Sequence, residues 1–419
     1  MTGQDTSDPE KASAPPPRVD GGLQGWLTVL GGWLMQFSTF GYVYSFGVFQ
    51  GNPHVALDYY TRVYLTKNTP SDIGWIGGVT FMLACGLGLV SGKLFDMGYF
   101  YVTQVAGAAL YIFCIFMLSL AKQDQFYQIF LSQGVGMGLA IGLTLVPTLG
   151  VIVHHFLRTN RALATGIALS GGGCGGIVFP IREHFRIFKL LLKHSFAYTV
   201  RASGYVVIGC MALSLLLMRA KPLPATPSGT VQPKALSFFK EIPFVLHVIS
   251  YSSFLTLSGV YFPIFFMQLF AVQHKIDNDL AFYSLAIINA ASVFGRICGN
   301  YLSDVFGAFT ILVPTAIITA STIWALLGVH DRGSLVVVSI FYGIFSGAAF
   351  SLIAAATASL AKSPREIGCY NSMRNGLTFA IGGIALLISG PIQGALVGTT
   401  FTWTRAVAYS AVRTLRLIC

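Results

Sequence analysis

The sequence predicts an all-α integral membrane protein. Of its 419 residues, 54% are hydrophobic and only 10% are charged, and the mean hydropathy is +0.69. A soluble domain carries about 25% charged residues. Long runs without Asp, Glu, Lys or Arg recur along the chain, and each is continuously apolar rather than alternating. This pattern favours spanning helices over the short alternating strands of a membrane β-barrel.

The composition argues against several other classes of protein. The net charge of +11 comes from basic residues that are scattered singly between apolar runs. This scatter indicates basic cytosolic loops and no nucleic-acid surface. The seven cysteines form no CxxC pair and no metal-ligand spacing, so neither a disulfide framework, a metal site nor a cofactor is expected. No arrangement of nucleophile and base indicates an enzyme.

Eleven charge-poor stretches are close to or above the roughly 20 residues that a spanning helix needs. They are 21–56, 73–92, 97–121, 125–157, 162–181, 202–218, 242–274, 280–303 (broken only by Arg296), 305–330, 333–361 and 375–404. A twelfth span is due after residue 396, but Arg405, Arg413 and Arg416 interrupt it. This end is interpreted as a degenerate helix, an interfacial helix or an incorrect chain terminus, and the sequence does not choose among these.

The polar stretches divide the chain into two halves. Residues 1–20 are polar and proline-rich and lack the apolar core of a signal peptide, so we expect a disordered cytosolic tail. Residues 219–241 form a linker rich in Pro, Ser and Lys between a six-helix half, 21–218, and a second half, 242–419, with an incomplete last helix. The basic residues favour a cytosolic N-terminus. The plasma membrane is the expected location, with a vacuolar or other internal membrane as the alternative.

A short motif occurs once in each half. The second span is followed by GKLFDMG (92–98) and the eighth by NYLSDVFG (300–307), and their aspartates, Asp96 and Asp304, lie 208 positions apart (304 − 96). Half-length repeats are typical of transporters that bind substrate between two related halves. Both loops resemble the loop signature of the major facilitator superfamily, with Gly92 at the opening position of the first. The resemblance implies a gating role for the aspartates, and a simple helix cap is the alternative.

Two further motifs resemble the monocarboxylate porter family in its fungal form. DGGLQGW (20–26) precedes the first span, and FLRTNRALATGIALSGGG (156–173) leads into the fifth. The residues that match are Asp20, Gly21, Gly22, Trp26, Arg161, Leu163, Ala164, Gly166, Ala168 and Gly171, whereas Asn160 replaces an expected basic residue. Small residues let membrane helices approach closely. Arg158 and Arg161 are expected to meet lipid phosphates or inner carboxylates.

Arg296 is the strongest candidate for a substrate-binding residue. It lies eight residues before Asp304, or roughly 12 Å along a helix, and therefore near the centre of a membrane core about 30 Å thick. An ionisable residue at that depth indicates function, and its planar fork suits a carboxylate. The family resemblance implies that an arginine at this place binds the substrate and takes part in gating. The alternatives are a structural ligand of backbone carbonyls and a cytosolic anchor.

Other residues of the expected charge relay are absent. The resemblance implies an aspartate where Ser292 stands and a lysine where Tyr44 stands. His247, in the seventh span, is the proposed proton-coupling residue because histidine changes charge near neutral pH. Polar and aromatic residues are predicted to complete the pocket, and they are Tyr44, Tyr261, Asn289, Ser292, Phe341 and Tyr342.

The sequence thus predicts a secondary transporter that moves a small organic anion, a monocarboxylate or related metabolite, by alternating access. The family resemblance implies proton symport. One alternative is an exporter of a fungal secondary metabolite built on the same fold. Another is a non-transporting sensor or an inactive truncated transporter, which the absent relay charges and the interrupted last helix leave open. The segment 51–57 lengthens the first outer loop and has no explanation in this scheme.

Overall fold

The computed structural model describes most of the two predicted halves. The described residues are 21–46, 65, 70–157, 159–190, 196–221, 235–248, 254–361, 364–398 and 401–415. All regular structure within these ranges is helical. The predicted tail 1–20, with Asp20, lies outside them, as do the segment 51–57, Arg158 and Arg416.

Within the described residues, the first half contains six helical regions, some of them interrupted. They are α1 (Gly22–Ser38, continued by Phe40–Phe46), α2 (Pro70–Gly86, continued by Gly88–Asp96), α3 (Phe100–Ser119), α4 (Phe126–Ile129, a π-helical stretch Phe130–Met137, and Gly138–His155), α5 (Arg161–Leu190) and α6 (Phe196–Leu217).

The second half repeats this number within the described ranges. Its regions are α7 (Ile242–Leu246, Phe254–Val260 and Phe262–Gln273), α8 (Asn278–Phe306), α9 (Ala308–Ala325, followed by a 3-10 turn Leu326–Gly328), α10 (Arg332–Ser359), α11 (Pro364–Val397) and α12 (Trp403–Leu415). Of the predicted linker, the described part ends in a 3-10 helix, Ala235–Lys240.

The structure confirms an all-helical membrane bundle. Within the described residues, ten helices are long and apolar enough to cross a membrane. The prediction from sequence had eleven clear spans, and the difference is α1. Its first helix has 17 residues and ends at Ser38. The next residue, Thr39, interrupts it before Phe40–Phe46 continues. Similar breaks at Leu87 and Tyr261 do not remove α2 and α7 from the ten, but α1 is less apolar because it contains Gln24, Gln36 and several glycines.

The twelfth region is a short helix that packs into the second half. Its 13 residues extend about 20 Å at 1.5 Å per residue. Ala406, Val407 and Ala411 are buried, and the helix packs against α7, α9 and α11. Arg405 lies on its exposed side. The arginines that make this segment unlike a spanning helix in sequence therefore do not prevent it from joining the bundle.

The two halves meet along two helix pairs, α5 with α8 and α2 with α11. Glycines allow the close approach. A Cβ at Gly166 would lie 2.5 Å from the Arg296 carbonyl oxygen, and one at Gly92 would collide with the carbonyl of Ser372 on α11. Small residues bring backbones together in membranes. The glycines of the predicted motifs therefore determine how tightly the halves close.

Candidate functional site: a buried arginine between the two halves

Arg296 is buried where α8 faces the first half. Its side chain is 5% exposed. Nη1 donates to the carbonyl oxygen of Leu169 on α5 at 2.5 Å, and Nη2 lies 3.4 Å from the hydroxyl oxygen of Tyr44 on α1. In the described ranges, the ion pairs found belong to Arg332 and Arg374. Within these ranges, a carbonyl, a hydroxyl and aromatic rings therefore compensate the charge of Arg296 instead of a carboxylate.

Four aromatic side chains and Arg296 form a closed circuit, here called the Arg296 ring. The Arg296 Cζ atom lies 5.8 Å from the Tyr44 ring centre and 5.7 Å from that of Phe350. Ring centroids are 6.2 Å apart for Tyr44 and Phe81, 5.5 Å for Phe81 and Tyr261, and 6.3 Å for Tyr261 and Phe350. These distances fit cation–π and aromatic contacts.

The circuit joins five helices of both halves. Tyr44 and Phe81 belong to α1 and α2, whereas Tyr261, Arg296 and Phe350 belong to α7, α8 and α10. Two of its five contacts cross between the halves, namely Phe81 with Tyr261 and Arg296 with Tyr44. A movement that separates the halves at this depth therefore breaks these two contacts and leaves the other three within their own half.

Of the remaining predicted pocket residues, three are buried and one is exposed. Asn289 donates to the Leu285 carbonyl at 3.1 Å and packs on Gly176 of α5. The Ser292 hydroxyl donates to the Asn289 carbonyl at 2.8 Å. Both are buried on the side of α8 that faces α5 and bond to backbone.

The two predicted aromatic residues of α10 differ in position. Tyr342 is fully buried, donates its hydroxyl to the Val260 carbonyl of α7, and lies near Tyr44. Phe341 is 51% exposed and stacks on Phe345 at 6.4 Å. Adjacent residues on a helix point about 100° apart. The structure thus directs Tyr342 inward and does not bring Phe341 to the ring.

His247 contacts two helices of its own half. It is buried, its Nε2 lies 2.9 Å from the hydroxyl oxygen of Thr357, and its ring packs edge-on against Phe309 at 5.4 Å. Thr357 and Phe309 belong to α10 and α9 of the same half. None of these contacts involves a member of the Arg296 ring.

The two motif aspartates lie at one end of the bundle, here called the aspartate end. The Asp304 carboxylate accepts hydrogen bonds from the backbone nitrogens of Ala162 and Leu163, at 2.9 and 2.8 Å, in the first turn of α5. Asp96 accepts from the backbone nitrogen of Met373 on α11 at 3.0 Å. Each carboxylate thus bonds to a helix of the opposite half. At this end the halves are in contact.

The first motif packs the start of α1 against the end of α4. Gly21 and Gly22 have φ of 80° and 63°, values that favour glycine. The Gly21 nitrogen donates to the His155 carbonyl at 2.8 Å, and Trp26 contacts Phe156 edge-on at 5.1 Å. These contacts are structural.

The second motif provides the N-terminus of α5 and its close contacts. Arg161 is the first residue of the helix and lies near Asp304. A Cβ at Gly171 would collide with the carbonyl of Trp33 on α1, whereas Gly166 faces α8. The motif glycines therefore place α5 between α1 and α8, with Arg296 on one side.

The linker attaches to α11 at the aspartate end. Arg374 is buried, and its Nη2 lies 2.9 Å from Oε2 of Glu241. Its Cζ atom lies 4.8 Å from the ring centre of Phe238 in the 3-10 helix. Arg374 directly follows Met373, which Asp96 binds, so the linker and α2 hold the same turn of α11.

Sequence reasoning did not identify Phe81 and Phe350. The chain has 33 phenylalanines spread over most of its spans, so no single one stands out by composition or spacing. These two become special only because α2 and α10 bring them to the same arginine. A search for aromatic residues on the faces predicted to line the interface between the halves would have found them among many others.

Comparisons with known proteins agree with this architecture. The family model of the Major Facilitator Superfamily matches residues 28–387. The aspyridones efflux protein of Emericella nidulans is 36% identical over 405 residues, which cover 96% of this chain and 78% of that protein. The agnestins efflux protein of Paecilomyces divaricatus is 29% identical over 382 residues, which cover 91% of this chain and 83% of that protein.

A solved structure shares the fold at low sequence identity. The Escherichia coli fucose:proton symporter superposes with a TM-score of 0.68 at 12% identity, and the match covers 95% of this chain and 98% of that one. The family match, the helical bundle of two halves and the buried site between them support the same conclusion. The chain is a multi-pass membrane protein of the major facilitator superfamily.

Proposed function

We propose that the protein exports an acidic fungal secondary metabolite by alternating access. The central observation is the buried Arg296, held between the halves by a carbonyl and a hydroxyl. Similar fungal proteins that are named as efflux proteins favour export over uptake. An acidic group on the substrate would supply the full negative charge that these dipoles lack.

The proposed cycle uses the two ends of the α5–α8 pair. Arg296 bonds to α5 in the interior and Asp304 bonds to α5 at the aspartate end, about 12 Å away along α8. For export, the carboxylate bonds of Asp304 and Asp96, here called the latch, must break first, so that the aspartate end opens and the metabolite reaches Arg296 from that side. The substrate anion then binds Arg296 in place of its interior bond, and the carboxylate bonds form again as the opposite end opens.

The orientation of the protein and its coupling ion are also proposals. We place the N-terminus and the aspartate end in the cytosol and the protein in the plasma membrane, on the distribution of basic residues. Proton coupling and a monocarboxylate substrate rest on the two sequence motifs alone. His247 remains the candidate for coupling, and it contacts Thr357 and Phe309 of its own half.

Efflux from yeast cells tests the proposal. Cells that express the protein are loaded with a panel of acidic fungal metabolites, and mass spectrometry follows their appearance in the medium. Because a hydrogen bond to a charged group contributes about 1.5–3 kcal/mol, Arg296→Ala should slow efflux by about 10-fold or more. Arg296→Lys keeps the charge but not the fork and should fall between. Arg405→Ala, on the exposed side of α12, is the matched control.

The alternatives give different results. Accumulation of the acids inside cells that express the protein would show uptake and contradict export. Binding without movement in either direction would favour the non-transporting sensor. Equal rates of efflux in the wild type and Arg296→Ala would show that Arg296 does not bind the substrate.

A further inference from the structure

We propose that the Arg296 ring selects a planar, conjugated anion with a single acidic group. This proposal rests on the proposed function and adds the shape and the electronic character of the substrate. It also assigns specificity to Phe350, which contacts Arg296 within the second half, and to Phe81, which contacts Tyr261 across the interface between the halves.

The charge of the ring sets the first requirement. Among the described residues, the ring contains one guanidinium, and neither ion pair found includes it. Its Nε is buried without an acceptor. A carboxylate or enolate oxygen at Nε would satisfy this donor, and a second oxygen would compete with Tyr44 or Leu169 for the fork. A cationic amine on the substrate would find no carboxylate in the ring.

The aromatic faces set the second requirement. The rings of Tyr44 and Phe350 face the guanidinium, those of Phe81 and Tyr261 complete the circuit, and neighbouring members lie 5.5 to 6.3 Å apart. A flat conjugated molecule can contact such faces by stacking or by edge-to-face packing, which adds to the burial of apolar area. A puckered saturated molecule of the same size gains the burial without this addition. The ring therefore favours conjugation as well as charge.

The position of the rings explains how such a molecule enters. The contacts Phe81–Tyr261 and Arg296–Tyr44 join the two halves. A substrate that inserts between them replaces both contacts with its own, so that each half retains an aromatic face against it. Phe350 stays with Arg296 in the second half, and Phe81 stays with Tyr44 in the first.

Equilibrium binding to the purified full-length protein in lipid nanodiscs tests the selection. The probes are radiolabelled 1-naphthoate, decahydronaphthalene-1-carboxylate, which is saturated but equally charged, and naphthalene-1-carboxamide, which is aromatic but neutral. We expect naphthoate to bind at least about tenfold more tightly than either of the others, a ratio that corresponds to about 1.4 kcal/mol.

Two leucine variants on one helix separate the ring from general effects. Phe350→Leu removes an aromatic face but keeps apolar volume, and it should weaken naphthoate about fivefold to tenfold and leave the saturated acid unchanged. Phe341→Leu, on the exposed side of α10, should change neither. Phe81→Leu tests the face in the other half with the same expected result as Phe350→Leu.

The outcomes distinguish this proposal from the proposed function. Equal affinity for naphthoate and its saturated analogue, or no binding of naphthoate at all, would overturn the selection of conjugated anions while export could still be observed in cells. Tight naphthoate binding that Arg296→Ala leaves unchanged would overturn the anion site itself. An equal loss in the Phe350 and Phe341 variants would show a general effect on folding and contradict the assignment of Phe350.

Discussion

The carboxylate of Asp304 lies 2.8 Å from the backbone nitrogen of Leu163, so the last turn of α8 caps the first turn of α5 in the opposite half. Asp96 makes the corresponding contact from α2 to Met373 on α11. Repeated motifs in the two halves therefore produce two crossing contacts at the same end. Both interfaces between the halves are held there by carboxylates and backbone amides.

Asp304→Asn should shift the protein toward a state that is open at the aspartate end. An amide is uncharged and has one acceptor oxygen, so it cannot satisfy both backbone donors in the way a carboxylate does. Pulsed electron spin resonance between labels at the exposed positions Met97 and Leu302 should show a larger population at long distance. The background carries Cys298→Ser, because Cys298 is exposed.

Asp331→Asn is the control for this shift. Asp331 accepts from Gly333 at the start of α10, within one half, so its replacement should leave the distance distribution unchanged. Identical distributions for Asp304→Asn and the wild type would contradict the latch.

Gly166→Ala should disrupt the contact of α5 with α8. The new Cβ would lie 2.5 Å from the Arg296 carbonyl oxygen, so the helices must separate. We expect a lower yield of folded protein and a lower melting temperature in detergent. Gly209→Ala, on an exposed part of α6 with nothing within 4 Å, should be neutral or stabilising by up to about 1 kcal/mol because alanine favours helix. Equal effects of both substitutions would show that helix propensity outweighs the close approach.

Glu241→Gln should destabilise the attachment of the linker to α11. Arg374 has a side-chain exposure of 4% and Glu241 one of 28%. The substitution removes the carboxylate that pairs with Nη2 of a buried arginine, and breaking a fully buried pair costs about 3–5 kcal/mol, so replacement of the partly exposed Glu241 should cost less than this. The melting temperature in detergent measures the loss. Arg332→Ala breaks a pair in which the arginine side chain is 74% exposed, and it should cost less than about 1 kcal/mol.

A double variant refines this prediction. Glu241→Leu combined with Arg374→Met removes both charges, and it should recover much of the stability that Glu241→Gln loses. A double variant that is less stable than Glu241→Gln would show that the ion pair itself carries the attachment.

Acid should weaken the start of α8 through Asp277. The backbone amides of Leu280 and Asp279 donate to its carboxylate and hold the pKa of Asp277 below its usual value, with a smaller effect from Arg332. A pKa lowered in the folded state gives stability above about pH 4, the unfolded value, and this stability is lost as the pH falls through the folded value. Melting temperatures between pH 5 and pH 3 should therefore fall less steeply in Asp277→Asn, which still caps the helix without titrating. Parallel slopes would contradict the assignment.

Much of the fold follows from the sequence because the membrane leaves few solutions. Apolar runs of about 20 residues must form helices that satisfy their own backbone, and their number, together with the repeated Asp96 and Asp304 motifs, indicates two related halves. The exceptions have local causes. Gln24, Gln36 and several glycines make α1 less apolar than the ten spans, and α12 buries Ala406 and Ala411 despite its arginines. Hydropathy alone does not show that a helix as short as α12 packs against the bundle.

Composition and spacing alone predict the membrane bundle, its two halves and the unusual position of Arg296, because charge is costly at membrane depth and stands out in an apolar run. The surroundings of that arginine depend on how the helices pack. Leu169 accepts a hydrogen bond through its backbone carbonyl, and a pattern of side chains cannot predict such a contact. Phe81 and Phe350 come from helices far apart in the chain. Contacts between distant helices depend on rotation and packing, and these are properties of the assembled bundle.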